Sequence, residues 1–133
     1  MTKVQLKKHC KYLETKLLAE WSLRVRATGA CAICGATANL NAHHLLCKIR
    51  YPANKFDLDN GICLCSLHHR FGTISAHRNG MIFAEFVRNN YMHNYSYCLT
   101  HGDDHYKGHL TIDELEARCT AWGIKFRRPI NKK

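Results

Sequence analysis

Eight cysteines and ten histidines among 133 residues are the side chains most able to do chemistry in this sequence, and their spacing is patterned. Cys31-Ala-Ile-Cys34 is followed by Gly35. Two thiolates at that separation can share one tetrahedral ion, and a glycine there permits the tight turn. After 30 intervening residues comes Cys65-Ser-Leu-His68, with the same two-residue gap. Cys31, Cys34, Cys65 and His68 therefore read as a Cys3His set for one structural zinc ion.

Two alternatives stay open. Ile62-Cys-Leu-Cys65 reads as a strand, and alternation puts Cys63 on the same side as Cys65, where it competes as a ligand. His69 competes with His68, although the matched spacing of the two pairs favours His68. Cys10, Cys47, Cys98 and Cys119 have no partner at this spacing and read as small apolar fillers. A disulfide framework would suit a secreted chain, but the N-terminus lacks the apolar run of a signal peptide. Metal ligation in a reducing cytoplasm is the expectation.

Between the two pairs lie Leu40-Asn-Ala-His-His-Leu-Leu46, a polar and basic loop, and Asp59-Asn-Gly-Ile-Cys-Leu-Cys65. In this order and spacing, the stretch from Cys31 to about Phe71 resembles the HNH nucleases of the zinc-knuckled, ββα-metal type frequent in phages and bacterial restriction systems. One position departs from the pattern: the family commonly has Cys where this chain has His68. The resemblance implies a hairpin closed by a long loop and followed by a helix, with zinc pinning the strand ends. By the same resemblance, His43 and His69 would bind a catalytic divalent cation (Mg²⁺, Mn²⁺ or Ni²⁺), and His44 would be the general base. Asn60 would orient that base by bonding across the loop. The implied activity is metal-dependent hydrolysis of DNA by an endonuclease, leaving 3′-hydroxyl and 5′-phosphate ends, in a bacterial or phage-infected cell.

The residues fit that chemistry. Phosphodiester hydrolysis needs a base for the water and a cation at the departing oxygen. Adjacent histidines on a strand face opposite ways, so they would divide the labour. Each also has a plainer use: Asn60-Gly61 is a common turn dipeptide, and a paired histidine can be a half-buried structural one. His77 stands between the metal, a phosphate and the open surface. Lys48 and Arg50 after His44, with Arg70 and Arg78 after the second pair, stand where scissile-strand phosphates would pass, and a solvated loop would look the same. His101, His105 and His109 form a cluster able to bind metal adventitiously. The reading from another class is a zinc-ribbon module that binds nucleic acid without cutting it.

The elements that must position these residues are legible in part. Composition is that of an ordinary globular chain, 46% hydrophobic and 23% charged, with a formal charge of +10. That charge favours a polyanion, most simply DNA through its phosphates. No apolar run approaches the 18 residues a membrane span needs. Seven Lys/Arg and an approximate 3.6 period (Val4, Leu6, Cys10, Leu13, Leu17, Leu18, Trp21) predict a basic amphipathic helix over about 3–22, ended by Thr28-Gly29. Its basic face could contact phosphates or merely be solvated. Residues 80–91 fit a helix slightly better than a strand, and 92–110, rich in His, Asn, Tyr and Gly, read as loop. Thr111 and Glu114 form a capping box opening a helix to Trp122, with Gly123 beyond it. The whole is expected to be one α+β domain: a basic helix (1–30), a zinc-stapled ββα-metal core (31–78), and a helical extension with a basic tail (79–133). Monomer and homodimer are both open.

Overall fold

The computed structural model describes residues 1–130; the basic tail reaches beyond these, and Lys132 and Lys133 lie outside the described residues. Helix α1 spans Lys3–Arg26, strands β1 and β2 are Leu40–His44 and Gly61–Cys65, and a π-helical turn covers Leu67–Phe71. Helices α2 (Gly80–Asn90), α3 (Met92–His101) and α4 (Ile112–Ala121) follow. The architecture is α+β. No helix among the described residues is long and apolar enough to cross a membrane.

The two strands pair antiparallel, with His43 opposite Ile62 and His44 opposite Gly61. Period-2 alternation then divides the hairpin between two cores. Ile62 and Leu64 pack with Phe83 and Val87 of α2, whereas Cys63 packs with Trp21 and Val25 of α1. A third cluster joins Leu13 and Leu17 of α1 to Phe56, Leu115 and Cys119. The sheet is thus a thin layer between α1 and α2, and α4 braces α1 from outside.

Helix α1 runs four residues past the expected end because its buried row is His9, Leu13, Leu17, Trp21 and Val25, a continuous i, i+4 series. Val4 and Leu6, assigned to the apolar face from sequence, are exposed. At the helix start, Thr2 and Gln5 form a reciprocal capping box. At α4 the Thr111 hydroxyl accepts from the Glu114 N–H, and Gly123 takes the left-handed conformation just beyond the helix.

The expectation of loop over 92–110 is wrong, since α3 occupies its first half and a 3₁₀ turn covers Asp104–Lys107. Its polar composition hides the helix because α3 buries no side chain. Instead it docks through hydrogen bonds: Asn94 Nδ2 donates to Asp59 O at 3.0 Å, and the Tyr97 hydroxyl donates to Asp57. Half-buried Tyr95 packs against the Ile62–Phe83 cluster, and tertiary hydrogen bonding adds to that weak apolar stripe.

Candidate metal centre and hydrogen-bonded histidine

The first knuckle loop turns at Gly35, whose φ of +75° is the left-handed conformation that glycine adopts without penalty. This returns Cys34 toward Cys31, and the Ala32 N–H donates to Cys63 O, fastening the loop to β2. The end of β2 and the π-helical turn bring in Cys65 and His68. Cys34 Sγ lies 3.8 Å from Cys65 Sγ, and His68 Nδ1 lies 3.7 Å from Cys31 Sγ and 3.3 Å from Cys65 Sγ. Ligands at zinc–sulfur and zinc–nitrogen bond lengths on a tetrahedral ion lie about 3.6–3.8 Å apart. These three separations are near the edges of such a shell, all four atoms lie within 4.8 Å of one another, and the group can hold a structural metal such as zinc. Burial pushes the Cys31 thiol up, but backbone hydrogen bonds from Cys65, Cys34 and Ile33 outweigh it and hold it at about 6, favouring the thiolate.

Cys63, the competing ligand, faces α1 and belongs to the Trp21–Val25 cluster. His69 is drawn elsewhere. Of the cysteines read as apolar fillers, Cys119 is buried and Cys10 and Cys98 are half-buried, but Cys47 is exposed, so that reading fails for it. Its position just past β1 leaves it on the rim of the long loop, with no core to fill.

A second group lies on the α2 side of the hairpin. His43, His69 and His77 each offer a nitrogen, and these atoms all lie within 4.8 Å of one another. His69 Nε2 and His77 Nε2 are 3.0 Å apart, about the spacing of neighbouring ligands 2.1 Å from an octahedral ion. Three separate elements meet here: β1, the π-helical turn, and the loop before α2. The turn and loop are stitched together by Ala76 N–H to His68 O (2.8 Å) and His77 N–H to His69 O (3.1 Å). Burial pushes His43 down to about 3 and His69 to about 4, and the neighbouring imidazoles and Arg70 push the same way. His77 is lowered by burial and Arg70. All three imidazoles are therefore neutral near pH 7, with lone pairs free for a cation.

His44 points to the opposite face. Its ring stacks on the Trp21 indole at 3.8 Å between centroids and 6° between planes. Its Nε2 lies 2.8 Å from Lys55 O. A carbonyl only accepts, so Nε2 carries the proton and Nδ1 keeps its lone pair. Burial lowers the His44 pKa, and Lys48 and Lys55 nearby add to that. Trp21 itself is fixed by donating Nε1–H to Asp57 O at 2.9 Å. The stack also explains Gly61: a Cβ there would lie 2.5 Å from Val25 Cγ2 and 2.7 Å from Trp21 Cζ2, so no larger residue admits α1 this close.

Asn60 is fully buried, and its side-chain hydrogen bonds go to residues other than His44. Its Oδ1 accepts from Leu46 N–H at 2.7 Å, while Nδ2 donates to Leu46 O and Asn54 O, both at 3.1 Å. It therefore ties both ends of the 45–59 loop, and Lys55 O, which holds His44, sits on that loop.

The four cationic candidates are exposed and scattered. Arg70 lies beside the three imidazoles and Lys48 beside His44. Arg78 donates to Phe71 O at 3.2 Å. Arg50 is exposed. His101, His105 and His109 do not assemble: His101 Nδ1 pairs with Asp104 at 2.7 Å, and His105 bonds Gly102 O. Sequence reasoning missed Trp21 and Lys55 and did not commit to His77. The Lys55 carbonyl carries no sequence signal, whereas Trp21 sat on the apolar row and showed only as core.

Compared with family models, with curated proteins and with solved structures, the chain matches none of them.

Proposed function

We propose that this protein is a metal-dependent DNA endonuclease with a ββα-metal core, in which a structural zinc ion braces the hairpin. One observation carries the reading. Two adjacent residues at the end of β1 lead to two different polar devices, a three-imidazole cluster through His43 and a neutral, hydrogen-bonded imidazole in His44. A phosphodiester crossing the strand end would meet both. A module that only bound nucleic acid would need neither.

In this mechanism His44 Nδ1 takes a proton from water as the water oxygen attacks phosphorus. Nε2–H stays on Lys55 O, so the ring holds one tautomer, and Trp21 fixes its plane. The bond from phosphorus to the 3′ oxygen breaks, and that oxygen takes a proton from solvent water, giving a 3′-hydroxyl and a 5′-phosphate. A divalent cation held by His43, His69 and His77 would stabilise charge on the departing oxygen and the phosphate. Arg70, beside those imidazoles, would add positive charge to the crowded phosphorus centre. Asn60 acts at one remove, by holding the loop that presents Lys55 O.

Incubating plasmid with the purified protein in buffer without divalent metal, and with Mg²⁺, Mn²⁺ or Ni²⁺ added, tests the reading. Cutting is expected only with added metal, and His44→Ala should lower its rate by roughly 10²–10⁴ while leaving bound zinc and DNA affinity unchanged. Wild-type cutting by His44→Ala, or no cutting with any metal, would leave the binding-module reading in its place.

A further inference from the structure

A cleft of about 840 Å³ opens between the N-terminal half of α1 and the segment following α4. That is the size of a small-ligand site. Lys8 and Lys16 come from α1, and Lys125, Arg127 and Arg128 from the other wall, with no carboxylate lining it among the described residues. Tyr12 and Phe126 add an aromatic ring from each side. The walls are tied together, since the Arg127 N–H donates to the Tyr12 hydroxyl at 3.2 Å.

The cleft also holds an unsatisfied group. His9 is 4% exposed and lines the cleft, and its Nε2 has no hydrogen-bond partner among the described residues. The nearest acid, Glu116, has Oε1 3.9 Å away, too far to accept, and its Oε2 is taken by Arg128 at 2.7 Å. That nitrogen is closed off from solvent and turned toward Glu116, so what the cleft offers a ligand is its cations and its rings.

Shallower depressions lead along α1 from the cleft toward the histidine region. Lys8, Tyr12 and Lys16 also line a shallower depression that adds Lys11 and Thr15. Those two residues line a further one that includes Lys48 and Lys55, the lysines flanking His44, together with Glu14, which pairs with Lys55 at 2.9 Å. From Leu18 back to Gln5 this track follows α1 for about 20 Å, at about 1.5 Å per residue. Cations alone would suit the outside of a duplex. Aromatic rings set inside the cleft suit a base that is not paired, because stacking needs its open face.

We propose that this cleft binds an unpaired nucleotide of a single-stranded nucleic-acid segment, its base against Phe126, beside the Lys16–Tyr12 pair, and its phosphates on Lys8, Lys16 and Lys125. The assignment rests on the nuclease reading only for the direction in which the strand leaves His44.

The test is fluorescence anisotropy of the full-length protein, without added divalent cation, on a labelled oligothymidylate of about eight nucleotides and an abasic strand of equal length. Wild type should bind the thymidylate about tenfold more tightly than the abasic strand, and Phe126→Leu should lose most of that preference. Lys125→Ala, an exposed substitution that leaves the apolar clusters intact, should weaken both strands equally and lower the salt slope by about one. Equal binding of both strands by wild type, a preference that survives in Phe126→Leu with native circular dichroism, or an unchanged salt slope in Lys125→Ala overturns the proposal. Thymidine 5′-monophosphate displacing the oligonucleotide at equal concentration would assign the cleft to a free nucleotide and overturn the strand assignment. Plasmid cutting is scored separately. Base preference without cutting keeps this site and removes the nuclease reading, whereas cutting without base preference does the reverse.

Discussion

The two metal-ligand groups differ in how they are made. Cys31, Cys34, Cys65 and His68 come as two pairs, each closed by its own short turn, and only one long-range step, the hairpin, brings the pairs together. His43, His69 and His77 come singly, from a strand, a π-helical turn and a loop. The first group is thiolate-rich and supplies four ligand atoms, enough to close a tetrahedral shell, the form of a structural site. The second supplies three neutral nitrogens and leaves the rest of a coordination shell to water or substrate, the form of a reacting one. What separates them is one residue: His68 turns to the thiolates and its neighbour His69 to the imidazoles. The π-helical turn that carries both rotates consecutive side chains to opposite groups, so the two centres share a backbone and differ in chemistry.

The largest effect should come from breaking the first group. Between residues 31 and 71 the large apolar side chains that are buried are Phe56, Ile62 and Leu64, so metal ligation should supply much of the folding free energy there, on the order of 10 kcal/mol in comparable sites. Cys31→Ser or Cys65→Ser should lose the single zinc ion and the cooperative melt, read by elemental analysis and circular dichroism. A native melt in zinc-free Cys31→Ser would mean that packing alone holds the hairpin.

Breaking the second group should leave the fold standing. His43→Ala or His77→Ala should weaken the divalent cation by at least about tenfold, since even residues that only orient ligands cost 10- to 100-fold. Excess Mn²⁺ should then restore part of the cutting, which it cannot do for His44→Ala. Equal metal dependence in His77→Ala and wild type would remove His77 from the group.

Asn60→Ala sharpens the contrast, because it disturbs the base while sparing both groups. Losing three buried hydrogen bonds should cost about 1–3 kcal/mol of stability for each group left unpaired. Cutting should fall to a level between wild type and His44→Ala, with zinc retained. A rate as low as that of His44→Ala would mean that the loop collapses rather than relaxes.

The smallest effect belongs to neither group. Asn54 and His101 hold the Asp104 carboxyl down at about 2, and Lys107 assists them. A folded-state value below the usual carboxylate range gives stability that is present above about pH 4 and is lost as pH falls toward 2. Acid titration of thermal stability should show that loss in wild type, worth at most about 2 kcal/mol, and a flatter profile in Asp104→Asn. An identical acid limb in both proteins would place the sensitivity at another carboxylate.

Spacing alone made the Cys3His set legible, because ligands two residues apart on a tight turn must fall near one another whatever the rest of the chain does. Alternation on β1 likewise sent His43 and His44 to opposite faces before any packing was known. The capping signal at Thr111 and the glycine at 123 bounded α4 for the same local reason. Folding decided what depends on contacts between distant segments. His77 joins His43 only because the 72–79 loop folds back over the hairpin. Trp21 meets His44 only because Gly61 lets α1 close on the sheet. Helix α3 is anchored by polar contacts to the 57–61 segment and by half-buried Tyr95 on the hairpin core, a pairing that its polar composition hides. Local geometry is written in neighbouring residues, whereas these three features are set by which surfaces come together, and that the chain settles only by packing.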